Sequence, residues 1–184
     1  MSTNTEIHIN LERLKSDLLE LFQIGYSPET NSVSRVAFSE ADMQAKHWLI
    51  ESFQAEGFHA FLDGASNVVG RAGKQQANKV LAIGSHIDSV LSGGMFDGTL
   101  GVLAGLEILR TLRDHNIELP VPIQVYAFAE EEGRFGGMMG AQALIGDLTP
   151  EWLLSAHDVN GVLLKDEMQC RGLNALDALN ARVE

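Results

Sequence analysis

One stretch of the sequence constrains the fold more than any other: residues 79–105, KVLAIGSHIDSVLSGGMFDGTLGVLAG. Its apolar run from Val80 to Ile83 lacks polar alternation, which is typical of a strand buried on both faces of a parallel sheet. A turn-like segment, residues 75–78, precedes the run, and apolar residues with helical spacing follow Asp97. The stretch therefore predicts a strand, a loop and a helix of an α/β fold.

Polar side chains lie where this strand should end. His86 and Asp88 are expected at or just past the carboxyl end of this strand, and in open α/β sheets ligands bind in the crevice outside the carboxyl ends of the strands. Asp97 immediately precedes the helical pattern, so we expect it at an N-cap position, where backbone N–H groups hold a carboxylate. The stretch thus supplies half of a candidate metal site.

A second apolar segment supplies the other half. Residues 122–129, PIQVYAFA, have the same buried-strand pattern and run directly into Glu130, Glu131 and Glu132. Three adjacent carboxylates repel one another, and a dication reverses that balance. Imidazole with carboxylates is a ligand set suited to Zn²⁺ or Mn²⁺, and a neighbouring carboxylate that does not bind metal can act as a general base.

Each of these signals has a simpler interpretation when it is taken alone. A His-x-Asp spacing is weakly specific, and an acidic triplet is commonly a solvated surface. The glycine-rich SGGMFDG could be only a flexible turn, and it lacks the Lys-Ser/Thr of a phosphate-binding loop, which argues against a nucleotide site. The conjunction of two strand ends, one cap position and one acidic cluster favours the metal site.

The same residues resemble a known family. GSHIDSVLSGGMFDGTLGVLAGLE, followed by FAEEEGRF, is similar to the amidase/carbamoylase branch of the dinuclear aminoacylase-type metallohydrolases. This branch contains N-carbamoyl-L-amino acid hydrolases, allantoate amidohydrolases and β-ureidopropionases. Residues 34–49, 56–58 and 63–71 also agree with it, so the resemblance covers nearly the whole chain.

The resemblance implies a role for each residue of the motif. His86 would bind one of two divalent metal ions (Zn²⁺ or Mn²⁺), Asp97 would bridge them, and Glu132 would bind the other. Glu131 would be the general base, and Asp88 would orient the histidine through its other ring nitrogen. The implied reaction is hydrolysis of a carbamoyl or linear-amidine C–N bond in a small ureido compound, by water whose proton Glu131 accepts.

Two departures from the family pattern limit how far these roles can be assigned to residues of this chain. One residue is missing between Gly133 and Arg134 of the Glu-Glu-Gly-x-Arg-Phe signature, so the base could be Glu130 or Glu131. The family also places two further histidine ligands and a dimerisation lid in sequence that residues 1–184 do not contain. His157 does not match a ligand position and is expected at the surface. The expected unit is therefore the amino-terminal part of a metallohydrolase catalytic domain, an incomplete one without the lid.

Alternatives to a complete enzyme follow from these departures. The chain could be a subunit whose site a complementing chain completes, or a catalytically silent fragment whose exposed apolar edge favours self-association. Aminoacylase or peptidase activity of the same superfamily is the alternative chemistry, disfavoured by the Glu-Gly-Arg-Phe signature.

The rest of the sequence predicts further elements of an α/β fold with a mixed, mostly parallel sheet flanked by helices. Helical spacing indicates a first helix over residues 7–24 and a second from a capping box at Ser39 to about Gly57. Residues 58–62 and 68–71 read as two strands that could form a hairpin, and a short helix through Ile145 is expected. Thr149-Pro150 is typical of a helix start.

Composition excludes several classes of partner. A net charge of −12 argues against nucleic acid and anionic membranes, which would repel the protein. No apolar stretch reaches the roughly 20 residues of a membrane span, and the polar start is no secretory signal. A single cysteine, Cys170, excludes an internal disulfide and suits a reducing compartment, so a cytoplasmic location is expected.

Overall fold

A four-stranded mixed sheet with helices packed against it forms the core of the protein, in a computed structural model that describes residues 6–73 and 79–182. The turn expected at residues 75–78 lies outside the described residues. The strands are β1 (Tyr26–Ser27), β2 (Ser32–Val33), β3 (His59–Leu62), β4 (Val68–Ala72), β5 (Leu81–His86) and β6 (Ile123–Phe128). The helices are α1 (Leu11–Gln23), α2 (Glu40–Ala55), α3 (Thr99–Asp114), α4 (Met139–Ile145), α5 (Pro150–Ser155) and α6 (Leu164–Cys170), followed by a 3-10 turn, Ala175–Asn180.

The sheet is mixed, with the strand order β3-β4-β6-β5. The predicted hairpin is confirmed, because β3 pairs antiparallel with β4. β4 also pairs antiparallel with β6, whereas β5 and β6 are parallel and joined through α3. The α/β class is therefore confirmed, but the expectation of a mostly parallel sheet is wrong for the described strands: the hairpin inserts β4 beside β6, which leaves a single parallel pair.

The position of β5 corrects a second expectation. The apolar run predicts a strand buried on both faces, yet β5 lies at the sheet edge, where Leu81 is 48% exposed and Ala82 is exposed as well. The buried position belongs to β6, which has a neighbour on each side. An apolar run shows that a strand prefers burial, but it does not show how many neighbours the strand has.

Local signals predict the starts of α2 and α5. Ser39 caps α2 by accepting a hydrogen bond from the Asp42 N–H group, and Thr149 caps α5 in the same way from Trp152. Buried apolar side chains form two clusters. One packs α1, α2 and α3 against the sheet, and the other packs α4, α5 and α6 together. Phe135 and Met139 belong to the second cluster, so it also supports the loop after β6.

None of the helices in residues 6–73 and 79–182 combines the length and the apolar character that crossing a membrane requires.

Candidate metal centre

Three segments bring the candidate ligands to one edge of the sheet. The parallel register pairs His86 at the end of β5 with Phe128 at the end of β6, so the segments that follow the two strands start side by side. Glu132 lies in the segment after β6, and Asp97 lies in the loop that leads into α3. Single ligand atoms of His86, Asp97 and Glu132 all lie within 4.8 Å of one another.

The imidazole of His86 is buried and held in one orientation. Its Nδ1 atom lies 3.0 Å from the carbonyl oxygen of Asp88. A carbonyl only accepts, so Nδ1 carries the proton and the Nε2 lone pair faces outward. On this outward side of the ring, Nε2 lies 3.8 Å from Asp97 Oδ1 and 3.6 Å from Glu131 Oε2. A lone pair therefore faces two carboxylates.

These distances fit a cation better than hydrogen bonds. Separations of 3.6 and 3.8 Å are longer than the roughly 2.7–3.2 Å of an N–H···O hydrogen bond. Two ligand atoms bound to one tetrahedral ion at about 2.1 Å lie roughly 3.4 Å apart, which is close to the 3.8 Å between Nε2 and Asp97 Oδ1. The donor set of one imidazole with carboxylates is also one that Zn²⁺ and Mn²⁺ accept. The described residues thus include a group with the chemistry and spacing of a divalent-metal site.

Asp88 joins two of the candidate ligands. Its side chain is 1% exposed, and Oδ2 accepts a hydrogen bond of 3.1 Å from the Glu132 N–H group. Oδ1 has no hydrogen-bond partner among the described residues and lies 3.8 Å from His86 Nδ1. Burial and the charge of Asp42 raise the pKa of Asp88 to about 6, although the Glu132 N–H group, His86 and Lys46 oppose the rise.

Asp97 does not cap the helix, so that expectation is wrong. α3 begins at Thr99 and its N-cap is Gly98, with φ of 64° and no side-chain cap. A glycine adopts this left-handed conformation without the cost that a side chain adds. The Asp97 carboxylate is 72% exposed and remains free of the helix N–H groups, which leaves its oxygens available beside His86.

Sequence reasoning missed Gly98 as a site residue. A Cβ atom built on Gly98 would lie 2.6 Å from both Cδ2 and Cε1 of the His86 ring. Every side chain larger than hydrogen therefore collides with the imidazole. The only available signal was the glycine that follows Asp97 in the motif, and its meaning depends on a contact between distant segments.

The three consecutive glutamates occupy different environments. Glu130 is fully buried, and its two carboxylate oxygens accept hydrogen bonds from the N–H groups of Phe135 (2.6 Å) and Gly137 (3.0 Å). Glu131 is the residue whose carboxylate faces His86. The structure thus assigns Glu130 to the interior of the loop and places Glu131 beside the site.

The acidic side chains crowd one another in this arrangement. Burial raises the pKa of Glu132, and the negative charges of Asp97 and Glu131 raise it further, against the opposing effect of His86. A cation at the centre would reverse this balance, because it favours the ionised form of every carboxylate around it.

The other described histidines lie at the surface. His157 is exposed, as expected from the sequence, and so are His8, His47, His59 and His115. Arg134 of the motif forms ion pairs with Asp158 (3.2 Å) and Glu167 (3.0 Å), so it links the loop after β6 to α6.

A protein-family model matches the part of the chain that contains this centre. The family model of Peptidase family M28 matches residues 67–176, which is more than half of the chain and includes every candidate ligand. The chain belongs to peptidase family M28. The matched residues run from β4 to the 3-10 turn, so the match contains both strand ends that form the centre.

Relatives of this M28 chain carry the names that the motif predicted. It is 40% identical over 167 residues to an N-carbamoyl-L-amino acid amidohydrolase of Geobacillus stearothermophilus, covering 89% of the chain and 40% of the relative. It is 32% identical over 151 residues to allantoate deiminase 2 of Glycine max, covering 79% of the chain and 31% of the relative. The predicted resemblance to carbamoylases and allantoate amidohydrolases is therefore confirmed.

A solved structure gives the same result for the fold. A hydantoinase/carbamoylase family amidase from Burkholderia ambifaria superposes with a TM-score of 0.84 at 31% identity, covering 91% of the chain and 42% of that protein. The M28 chain thus spans about two fifths of the length of this structure and of the bacterial relative.

Proposed function

We propose that this chain belongs to a metal-dependent hydrolase of non-peptide C–N bonds in small ureido compounds, such as N-carbamoyl-L-amino acids or allantoate. One observation carries the proposal: single ligand atoms of His86, Asp97 and Glu132 lie within 4.8 Å of one another, and the Glu131 carboxylate lies 3.6 Å from His86 Nε2. The names of the relatives supply the substrate class.

Three side chains would hold the metal. His86, Asp97 and Glu132 each offer one ligand atom, and the exposed carboxylate of Asp97 has a second oxygen with which to bridge to another ion. A divalent cation, Zn²⁺ or Mn²⁺, would supply Lewis-acid polarisation of the substrate carbonyl and would lower the pKa of water.

Glu131 would act as the general base. Its carboxylate takes a proton from the attacking water while the water oxygen bonds to the carbonyl carbon. It then gives this proton to the nitrogen as the C–N bond breaks, so the leaving group departs as a neutral amine. Asp88 keeps the His86 ring in place through its backbone carbonyl and holds the Glu132 peptide through its carboxylate.

A cavity beside the centre has room for a small substrate. It has a volume of about 690 Å³ and includes Asp88, Glu132 and Arg134 in its lining. Small-molecule sites commonly have volumes of roughly 300–1,000 Å³. The size of the cavity supports a small ligand, in keeping with the small-molecule substrates named for the relatives.

Metal stoichiometry and ammonia release would test this function together. Protein stripped with a chelator is titrated with Mn²⁺ or Zn²⁺ by calorimetry, and ammonia release from N-carbamoyl amino acids and from allantoate is measured with and without metal. We expect His86→Ala and Asp97→Ala to abolish binding, whereas His157→Ala serves as the matched control on an exposed histidine. Unchanged metal binding in both site variants would reject the proposed ligands.

Glu131→Gln separates the base from the ligands. We expect it to retain metal affinity within about threefold and to lower turnover by roughly 10²- to 10⁴-fold, the usual contribution of a general base. Turnover equal to wild type would remove Glu131 from the mechanism.

A second candidate is a subunit that binds metal but needs a complementing chain for turnover. The observation that favours it is the 72% exposure of Asp97, which leaves the centre open on one side. Tight metal binding without ammonia release would support it, and so would activity that appears only when a complementing chain is added. Because the matching model is that of a peptidase family, dipeptides and N-acetyl amino acids belong in the same assay.

We also propose a cytoplasmic location, since Cys170 is an exposed free thiol that a reducing compartment preserves. Recovery of the protein in a secreted or periplasmic fraction of its host would reject this proposal.

A further inference from the structure

A buried arginine lies beneath the candidate metal centre. The Arg35 side chain is 1% exposed, and it precedes α2 in the segment that follows β2. Its Nε donates to the carbonyl oxygen of Ile87 (2.8 Å). Its Nη1 donates to the carbonyl oxygens of Leu21 and Ile24 (3.1 Å each) at the end of α1. The guanidinium therefore ties the segment after β5 to α1.

The backbone of Arg35 binds the same segment from a second side. Its N–H group donates to Ser89 Oγ (2.9 Å), and its carbonyl oxygen accepts from the Ser89 N–H group (3.0 Å). Arg35 thus contacts both neighbours of Asp88, namely Ile87 and Ser89. Asp88 itself contacts His86 through its carbonyl oxygen and Glu132 through its carboxylate.

The charges around Asp88 are balanced beneath the centre. Lys46 and Asp42 form a buried ion pair of 2.9 Å on α2, and both side chains are at most 1% exposed. Asp42 and Asp88 act electrostatically on Arg35, and Asp42, His86 and Lys46 act on Asp88. Two cations, Arg35 and Lys46, therefore offset two carboxylates. An apolar side chain at position 35 could fill the same volume but could not hold three carbonyl groups in place.

We propose that Arg35 is a positioning residue for the metal centre: by holding residues 87 and 89 it fixes Asp88, which in turn fixes the imidazole of His86 and the peptide of Glu132. This inference rests on the metal site of the proposed function. Arg35 is too deeply buried to touch substrate, so its effect reaches the centre only through Asp88. Partners of metal-binding side chains typically change metal affinity by about 10- to 100-fold when they are lost.

Arg35→Lys tests the proposal, because it keeps the charge but cannot reach three carbonyl groups at once. The matched control is Arg110→Lys: Arg110 is another buried arginine, 5% exposed, which pairs with Asp17 and Glu56 away from the centre. Both variants are compared with wild type by Co²⁺ titration with visible absorption spectra, and by urea unfolding. We expect Arg35→Lys to weaken Co²⁺ binding about 10- to 100-fold and to alter the spectrum, and Arg110→Lys to change stability alone.

A metal-free measurement keeps this inference separate from the proposed function. Nitrogen-15 NMR of the His86 ring reports which nitrogen carries the proton, and we expect Nδ1 in wild type and a mixture in Arg35→Lys. If wild type binds no Co²⁺, the proposed function fails, while the ring proton still decides the role of Arg35. An unchanged ring together with unchanged Co²⁺ affinity would overturn it.

A milder variant covers the case in which Arg35→Lys does not fold. Ser89→Ala removes the acceptor of the Arg35 N–H group and leaves every charge in place. We expect a smaller change in the same direction, about threefold to tenfold in Co²⁺ affinity. A folded Ser89→Ala protein with the affinity, spectrum and ring proton of wild type would overturn the proposal.

Discussion

At the scale of the residue, Gly98 decides whether the His86 ring can occupy its place. The His86 ring lies where a Cβ atom of residue 98 would be, 2.6 Å from two ring carbons, and the φ of 64° adds strain for any other residue. The added Cβ atom would also lie 2.5 Å from the carbonyl oxygen of His86. Two costs therefore act at this position: backbone strain, and displacement of the His86 ring and carbonyl group.

Gly98→Ala and Gly57→Ala separate these two costs. Gly57 has a φ of 80°, but nothing lies within 4 Å of its added Cβ atom. We expect Gly57→Ala to lose about 1–2 kcal/mol of unfolding free energy from strain. Gly98→Ala should lose more because of the collision with His86, and only this variant should lose metal affinity, by tenfold or more. Chemical denaturation and calorimetric metal titration measure the two effects. Equal metal affinity in the two variants would contradict the ring contact.

Glu130 gives a second prediction at this scale. Both of its carboxylate oxygens accept hydrogen bonds from backbone N–H groups, those of Phe135 and Gly137. In Glu130→Gln, the side-chain NH₂ group replaces one of these oxygens and cannot accept the hydrogen bond. We expect a loss of roughly 1–3 kcal/mol in the free energy of unfolding. Glu118→Gln, at an exposed position, should stay within about 0.5 kcal/mol of wild type. A Glu130→Gln protein as stable as that control would be inconsistent with the observed hydrogen bonds.

The candidate ligands can be predicted from the sequence, whereas the residues that hold them in position cannot. His86, Asp88 and Glu132 follow apolar strands, so their residue types and their positions along the chain are enough to indicate a site. Glu130 and Glu131 are identical in sequence character, and only the fold shows which carboxylate turns inward. Arg35 and Gly98 act through contacts with residues 87–89 and His86, which no local pattern encodes.

At the scale of the element, a network of charges joins α1 to α3. Arg13 on α1 donates to Glu107 on α3 at 2.7 Å, and the Glu107 side chain is 1% exposed. Burial alone would raise the pKa of Glu107, but hydrogen bonds from Arg13, Asn10 and Thr111 outweigh it, so the pKa lies below its ordinary value. The pair therefore stabilises the folded state when Glu107 is ionised.

Arg13→Met tests the contribution of this pair and its pH dependence. Because the folded-state pKa is the lower one, the stabilisation is complete above the unfolded pKa of roughly 4.3 and disappears as the pH falls through the folded pKa. We expect Arg13→Met to lose about 1–3 kcal/mol at neutral pH, and the difference from wild type to shrink below about pH 4. Urea unfolding of both proteins between neutral pH and below about pH 4 measures this difference in the free energy of unfolding. Lys15→Met, at an exposed position on the same helix, is the control; a pH-independent difference would contradict the pair.

Helix caps and the positions of strands along the chain are also predictable, because they depend on neighbouring residues. The pairing of strands in the sheet is not. Ser39 and Thr149 cap their helices as expected, because an N-cap involves residues only three positions apart. The predicted start of α3 is wrong by one position, since Gly98 rather than Asp97 takes the N-cap position. The position of β5 along the chain agrees with the prediction, but its edge position depends on which strands pair, and pairing is not local.

At the scale of the whole molecule, two features have opposite effects on self-association: the edge strand β5 favours it and the net charge opposes it. Among the described strands, β5 pairs only with β6, so one row of its backbone groups has no partner strand there. The apolar Leu81 is 48% exposed on this strand. The net charge of −12 opposes the approach of a second copy.

We propose that two copies of this chain associate through the β5 edge when salt screens their charge. The Debye length falls from about 10 Å at 0.1 M salt to about 3 Å at 1 M, so repulsion weakens while backbone pairing remains available. We expect sedimentation velocity to show mostly monomer at low salt and a growing dimer fraction at high salt. Leu81→Lys should suppress the dimer because a charge on an edge strand disfavours pairing, whereas Leu154→Lys, 44% exposed on α5, should not. A monomer at every salt concentration, or equal suppression by both variants, would exclude the β5 edge as the contact.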